Sequence, residues 1–138
     1  MRRQTAAAVA AVSMLAGTIG LTPAAQAAYP TKSFDITYGA TYARGKVTFY
    51  NRSVHVSGVE RAVPSSGCRF VEVWTYNASG DLDFQAEVGG TCNGVVDFNV
   101  DVAADAPGGA SYVVVKFWYR DSSWNNQRVL TSAKVLRP

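Results

Sequence analysis

Lys46-Val47-Thr48-Phe49-Tyr50-Asn51-Arg52-Ser53-Val54-His55-Val56-Ser57 is the stretch whose pattern decides the fold. Read as two strands joined by a two-residue turn at Asn51-Arg52, it sets Phe49 opposite Val54 and Val47 opposite Val56 on one face. Thr48 then faces His55, and Lys46 faces Ser57, on the other. Apolar meets apolar and polar meets polar at each step, a period of two rather than the 3.6 of a helix. The same alternation continues along the chain and predicts strands over 34–42, 45–50, 53–59, 68–77, 82–88, 95–102, 111–120 and 127–136, parted by Gly, Asn, Asp, Ser and Pro clusters. Seven or eight short strands without a helical segment predict an all-β fold, an antiparallel β-sandwich or small barrel.

The N-terminal residues follow a different logic. Met1-Arg2-Arg3 is basic, Ala6 to Ala16 is an apolar run broken only by Ser13, and Ala25-Gln26-Ala27 offers small residues around a cleavage point. This predicts a signal peptide over 1–27, cleaved after Ala27, and one secreted β domain over 28–138. The apolar run is shorter than the roughly 20 residues that span a bilayer, so no stable membrane anchor is expected. Gln4-Thr5-Ala6 lacks the apolar residues that follow a twin-arginine signal, which leaves Sec-type export to the extracellular space. The formal charge of +3 falls to +1 once Arg2 and Arg3 are removed, so nucleic acid is not an expected partner. All aromatic residues (6 Phe, 7 Tyr, 3 Trp) lie beyond residue 27, and most are expected to fill a core.

One His and two Cys do not suit a zinc site of the usual kind, and neither a phosphate-cradling glycine loop nor a G-x-S-x-G elbow occurs. No metal, cofactor or catalytic residue is expected. In an exported chain the two Cys predict a disulfide, Cys68 to Cys92. With a turn centred on Ser79-Gly80, facing residues have numbers summing to 159 or 160. The sum of 160 sets Cys68 opposite Cys92, Trp74 opposite Ala86 and Tyr76 opposite Phe84, and avoids placing Glu72 against Glu87. It is the favoured register, and it sends Trp74 and Tyr76 into the core.

Along 111–120, Val113, Val115, Phe117 and Tyr119 form an inward face, and Tyr112, Val114, Lys116, Trp118 and Arg120 an outward one. Trp118 thus stands outside between Lys116 and Arg120, near Trp124 in the polar loop Asp121 to Asn126. Tyr112, Lys116, Trp118, Arg120 and Trp124 form a candidate binding surface, because rings bury area by stacking while polar neighbours fix orientation. The plainer alternative is that Lys116 and Arg120 cover Trp118 with their methylene stems. Among the acids, Asp81, Asp83, Glu87, Asp97, Asp101 and Asp105 read as turn or solvent-facing residues. Glu72 shares the face of Phe70, Trp74 and Tyr76, and is expected at a sheet end, beside an Arg, or with a raised pKa. His55 belongs to a polar face.

The stretch Gly45 to Gly58, followed by Gly67-Cys68 and a strand rich in Val and aromatics, resembles small exported β proteins of actinobacteria to which no activity is assigned. The resemblance implies extracellular location and β architecture, and brings no catalytic residue with it. The function expected is that of a secreted, non-enzymatic binding or structural surface protein whose partner is a polysaccharide or a protein. The alternatives are a carbohydrate-binding module, and a small hydrolase or toxin acting through Glu72 or His55. Intact mass of the secreted protein should correspond to a chain beginning at Ala28 that takes up alkylating agent only after reduction. A retained 1–27 segment, or thiols that alkylate without reductant, would contradict the export and disulfide readings respectively.

Overall fold

A computed structural model describes residues 28–138; the expected signal peptide lies outside the described residues. Eight strands follow one another: β1 (Thr31–Tyr38), β2 (Thr41–Phe49), β3 (Ser53–Ala62), β4 (Cys68–Tyr76), β5 (Leu82–Thr91), β6 (Gly94–Ala103), β7 (Tyr112–Arg120) and β8 (Gln127–Leu136). They form two four-stranded antiparallel sheets, ordered β1-β2-β3-β6 and β5-β4-β7-β8. The arrangement is a sandwich with one disulfide, Cys68–Cys92. The β2–β3 hairpin pairs as its alternation dictates, with Phe49 on Val54, Val47 on Val56 and Thr48 on His55.

The expected strand 34–42 is instead two strands, β1 and the start of β2, joined at Gly39-Ala40. Gly39 adopts φ 58°, a left-handed conformation that lets the chain reverse within two residues. Between the sheets, Val47, Phe49, Val54 and Val56 meet Val71, Val73, Val113, Val115 and Phe117, all fully buried. One inward row runs Phe34, Gly45, Gly58, Phe98 across β1, β2, β3 and β6. The two central glycines leave room for rings from the flanking strands, since a Cβ on Gly45 would come within 3.0 Å of the Phe34 ring.

The β4–β5 pairing departs from the favoured register. Through the middle of the hairpin Val71 faces Val88, Glu72 faces Glu87, Val73 faces Ala86 and Thr75 faces Phe84, all summing to 159. It changes at both ends: beyond Phe70 Arg69 faces Thr91, and at the turn end Tyr76 faces Leu82. Two residues of β5, Gly89 and Gly90, stand where β4 has only Phe70, which is a β-bulge. The bulge absorbs one residue and brings Cys92 to Cys68 without imposing the disulfide register on the rest of the hairpin. Trp74 and Tyr76 therefore point outward and are half-buried rather than core residues. The like charges at Glu72 and Glu87 are offset on other strands: Glu72 also faces Lys116, and Glu87 pairs with Arg120.

Gly89 and Gly90 have φ of 78° and 123°, which side-chain-bearing residues rarely adopt. A Cβ on Gly89 would stand 2.6 Å from the carboxylate of Glu60. Gly89→Ala should accordingly lower unfolding free energy by about 2 kcal/mol or more in urea titration, from combined backbone strain and overpacking. A change below about 0.5 kcal/mol would mean that the bulge is not held in this geometry.

Candidate functional site

The two outer faces differ in chemistry. On β1-β2-β3-β6 the outward residues are mostly polar, with Tyr42, Val59 and Val95 among them. Arg44 is bound to Asp35 at 2.9 Å and lies 4.3 Å from the Tyr42 ring centroid, and His55 Nδ1 is 2.8 Å from Asp101 Oδ1. His55 sits there as part of a solvated cross-strand pair, as the alternation requires. The outer face of β5-β4-β7-β8 instead carries rings and cations in rows set by the register. Tyr76 lies beside Tyr112 and Leu136, Trp74 beside Val114 and Lys134, and Glu72 beside Lys116 and Ser132. Phe70 then lies beside Trp118 and Val129, and Cys68 beside Arg120 and Gln127.

These side chains interlock. Tyr76 and Tyr112 stack with centroids 4.7 Å apart and planes 7° apart, and Phe70 and Trp118 stack at 5.6 Å and 12°. The Trp118 indole N–H donates to Glu72 Oε2 at 3.0 Å, which orients both residues. The Arg120 guanidinium lies 4.1 Å from the Phe70 ring centroid and 4.4 Å from that of Trp124. It also donates to both carboxylate oxygens of Glu87, at 3.1 and 3.0 Å, and to Gln127 at 3.1 Å. Trp118, Phe70, Arg120 and Trp124 thus stack in series along one end of the face. The charged ends of Lys116 and Arg120 lie over rings other than Trp118: the Lys116 ammonium stands 3.0 Å from the Trp74 centroid, and the Arg120 guanidinium rests on Phe70 and Trp124. Lys134 takes the same position over Tyr112, at 3.9 Å.

Trp124 is the most exposed ring of the group, at 63%. It sits in the left-handed region with φ 64°, uncommon for a residue with a side chain. The Asp121 carboxylate holds that loop by accepting from the backbone N–H of Asn125 at 2.9 Å and of Asn126 at 3.2 Å, and from Ser123 Oγ at 3.1 Å. The Trp124 N–H donates to the Asp121 carbonyl at 3.1 Å. A short polar loop therefore presents a large ring in one orientation. A cleft of about 100 Å³ lies between Trp124, Arg120, the disulfide and the Gly89-Gly90 bulge.

The structure brings Tyr112, Lys116, Trp118, Arg120 and Trp124 onto one continuous surface and adds Phe70, Glu72, Trp74, Tyr76 and Lys134 to it. Trp74 and Tyr76 were missed because the other register hides them. Glu72 lies mid-sheet with no arginine partner among the described residues, tied to Trp118 instead. Among the described residues the Trp74 indole N–H is buried without a hydrogen-bond partner. No group of three or more His, Cys, Asp or Glu that could hold a metal ion occurs among them.

Two buried ionisable residues lie outside this surface. Arg69 is 5% exposed, points between the sheets, and donates to Thr41 Oγ1 and to the carbonyls of Ser66 and Cys68. Burial pulls its pKa below the usual guanidinium value. Glu60 is fully buried in the inward row with Ile36, Ala43 and Val96. Its Oε1 accepts from the Gly90 N–H, while Oε2 has no partner among the described residues. Burial raises its pKa from 4.5 to about 7, against the smaller lowering effect of the Gly90 hydrogen bond. The alternation Val54, Val56, Gly58 continues inward to Glu60, so carrying the strand beyond residue 59 would have found it.

A raised carboxyl pKa favours the neutral folded form. The unfolded chain ionises near 4.5 and the folded one near 7, so stability from this group is complete below 4.5 and is lost as pH rises to 7. Between pH 5 and 8 the wild type should lose up to about 3 kcal/mol more than Glu60→Gln in urea unfolding. Parallel pH profiles for the two proteins would show that this carboxyl is not perturbed. No protein-family model matches the chain, and neither the curated proteins nor the solved structures contain a significant match to it.

Proposed function

We propose that this chain is an exported, non-catalytic binding protein whose working surface is the outer face of β5-β4-β7-β8, and that its ligand is an extended polysaccharide chain. The observation that carries this reading is the concentration of mutually held rings on one sheet face, opposite a face of mostly polar pairs where Tyr42, under Arg44, is the outward ring. Stacked and hydrogen-bonded rings lose little freedom when a ligand lands on them, so more of the contact energy is retained.

Scale favours a polymer over a globular partner. Same-face neighbours along a strand are about 6.8 Å apart and strands about 4.8 Å apart, so five rows on two or three strands form a strip roughly 27 Å by 10–14 Å. That is about 300–400 Å², below the roughly 800 Å² each partner commonly contributes to a stable protein interface. A chain lying along β4 and β7 matches such a strip. Export through the 1–27 segment would deliver the protein to where such polymers occur, and the Cys68–Cys92 bond suits an oxidising compartment.

Affinity electrophoresis through gels containing a panel of neutral and acidic polysaccharides tests this reading. At least one polymer should retard the wild type, and Trp118→Ala and Trp124→Ala should each weaken that interaction by about tenfold, the worth of one stacked ring. Arg44→Ala, on the polar face, should leave it unchanged. Equal mobility of all four proteins on every polymer would refute the proposal.

A further inference from the structure

Two lysines on the aromatic face make no direct ion pair among the described residues, although Lys116 faces Glu72 across the β4–β7 register. Arg120 is tied to Glu87 through both terminal guanidinium nitrogens, and Arg44 on the opposite face is tied to Asp35. Lys116 and Lys134 form no ion pair among the described residues; each ammonium rests over a ring, Trp74 and Tyr112 respectively. In the β7–β8 register Lys116 faces Ser132 and Lys134 faces Val114, which makes the two lysines diagonal neighbours on the same face. Such positions are about 7–8 Å apart at their backbones.

A lysine over a ring loses the freedom of its long stem but keeps N–H donors for a further acceptor. Two ammonium groups seated over the rings of Trp74 and Tyr112, in adjacent rows, therefore add positive charge to the aromatic strip. Glu72, the acid nearest in register to Lys116, is engaged by the Trp118 indole N–H.

Resting on the reading of the face as a polysaccharide surface, we infer that its ligand is an acidic glycan whose carboxylates are met by Lys116 and Lys134 while its sugar rings lie against Trp118 and Trp124. The two ammonium groups are separate single point charges, which match the singly charged carboxylates spaced along an acidic glycan, while the arginine of the patch, Arg120, is already engaged by Glu87. Two free lysines are also few for a nucleic acid, whose binding relies on neutralising many phosphates.

Polygalacturonate and its fully methyl-esterified form share a backbone and differ in charge, so affinity electrophoresis in the two separates charge from stacking. The wild type should be retarded by the acidic polymer at low salt and at least tenfold less by the ester or in 0.5 M salt, where the screening length falls to a few ångströms. Lys116→Gln/Lys134→Gln should lose at least tenfold on the acidic polymer, with an unchanged circular dichroism spectrum and unfolding midpoint confirming the fold. Equal retardation by both polymers, or an unaffected double variant, would overturn the inference while leaving the face a neutral-glycan surface. Absence of retardation by polygalacturonate, or preferential retention by single-stranded DNA or inorganic polyphosphate, would also overturn it. Failure of the broader reading would differ, appearing as indifference to every polymer and to Trp118→Ala and Trp124→Ala alike.

Discussion

The Gly89-Gly90 bulge, with its inward N–H taken by the buried Glu60 carboxyl, is the constraint on which the character of this sandwich depends. A β-hairpin with one uninterrupted register can meet either the demand of its cysteines or the demand of its hydrophobic alternation when the two differ by one residue. Here they differ by one. The bulge lets Arg69 face Thr91 at the disulfide end while Val71, Val73 and Thr75 keep their inward places. Two glycines make the left-handed backbone inexpensive, and a carboxyl from the other sheet accepts the N–H that the ladder has released. The arrangement leaves an acid among valines, with one oxygen unpartnered among the described residues. Such a group is tolerated most readily while neutral.

The outward rings are a consequence. With the sum of 159 through the hairpin, Phe70, Glu72, Trp74 and Tyr76 occupy the same side as Tyr112, Lys116, Trp118 and Arg120 of the neighbouring strand. Exposed aromatics on a small domain invite association. Here they are held by one another, by three cations and by one carboxylate. The core needs few of them: Phe34, Phe49, Phe98 and Phe117 fill it together with valines, and Phe70 is buried on the outer side beneath its neighbours. An aromatic-rich composition thus came from two populations, a core and a surface.

Most of the architecture is legible in the sequence because half-buried strands alternate, and the β2–β3 hairpin and the two faces of β7 follow directly from that pattern. The Gly39-Ala40 turn was hidden because Phe34, Ile36, Tyr38 and Tyr42 maintain a strand-like composition across it. The register of β4 against β5 was misread for a physical reason: facing cysteines and opposed glutamates are pairwise arguments, and each was met without shifting the whole strand. A bulge answered the first, while Lys116 and Arg120 from β7 answered the second. Trp118 and Trp124 could be found from the strand pattern and the polar loop. Their coupling through Phe70 and Arg120, and the lysines seated on Trp74 and Tyr112, depend on strand order, which local patterning does not contain.

Cross-strand nuclear Overhauser effects within the β4–β5 hairpin measure the register itself and so test the central claim most directly. The bulged pairing requires contacts between facing residues Val71 and Val88, Glu72 and Glu87, and Val73 and Ala86, shifting by one residue at Arg69 and Thr91 and again at the turn end, where Tyr76 faces Leu82. Contacts between Trp74 and Ala86 and between Tyr76 and Phe84 would instead establish one continuous register from the disulfide to the turn, return both rings to the interior and remove the aromatic face.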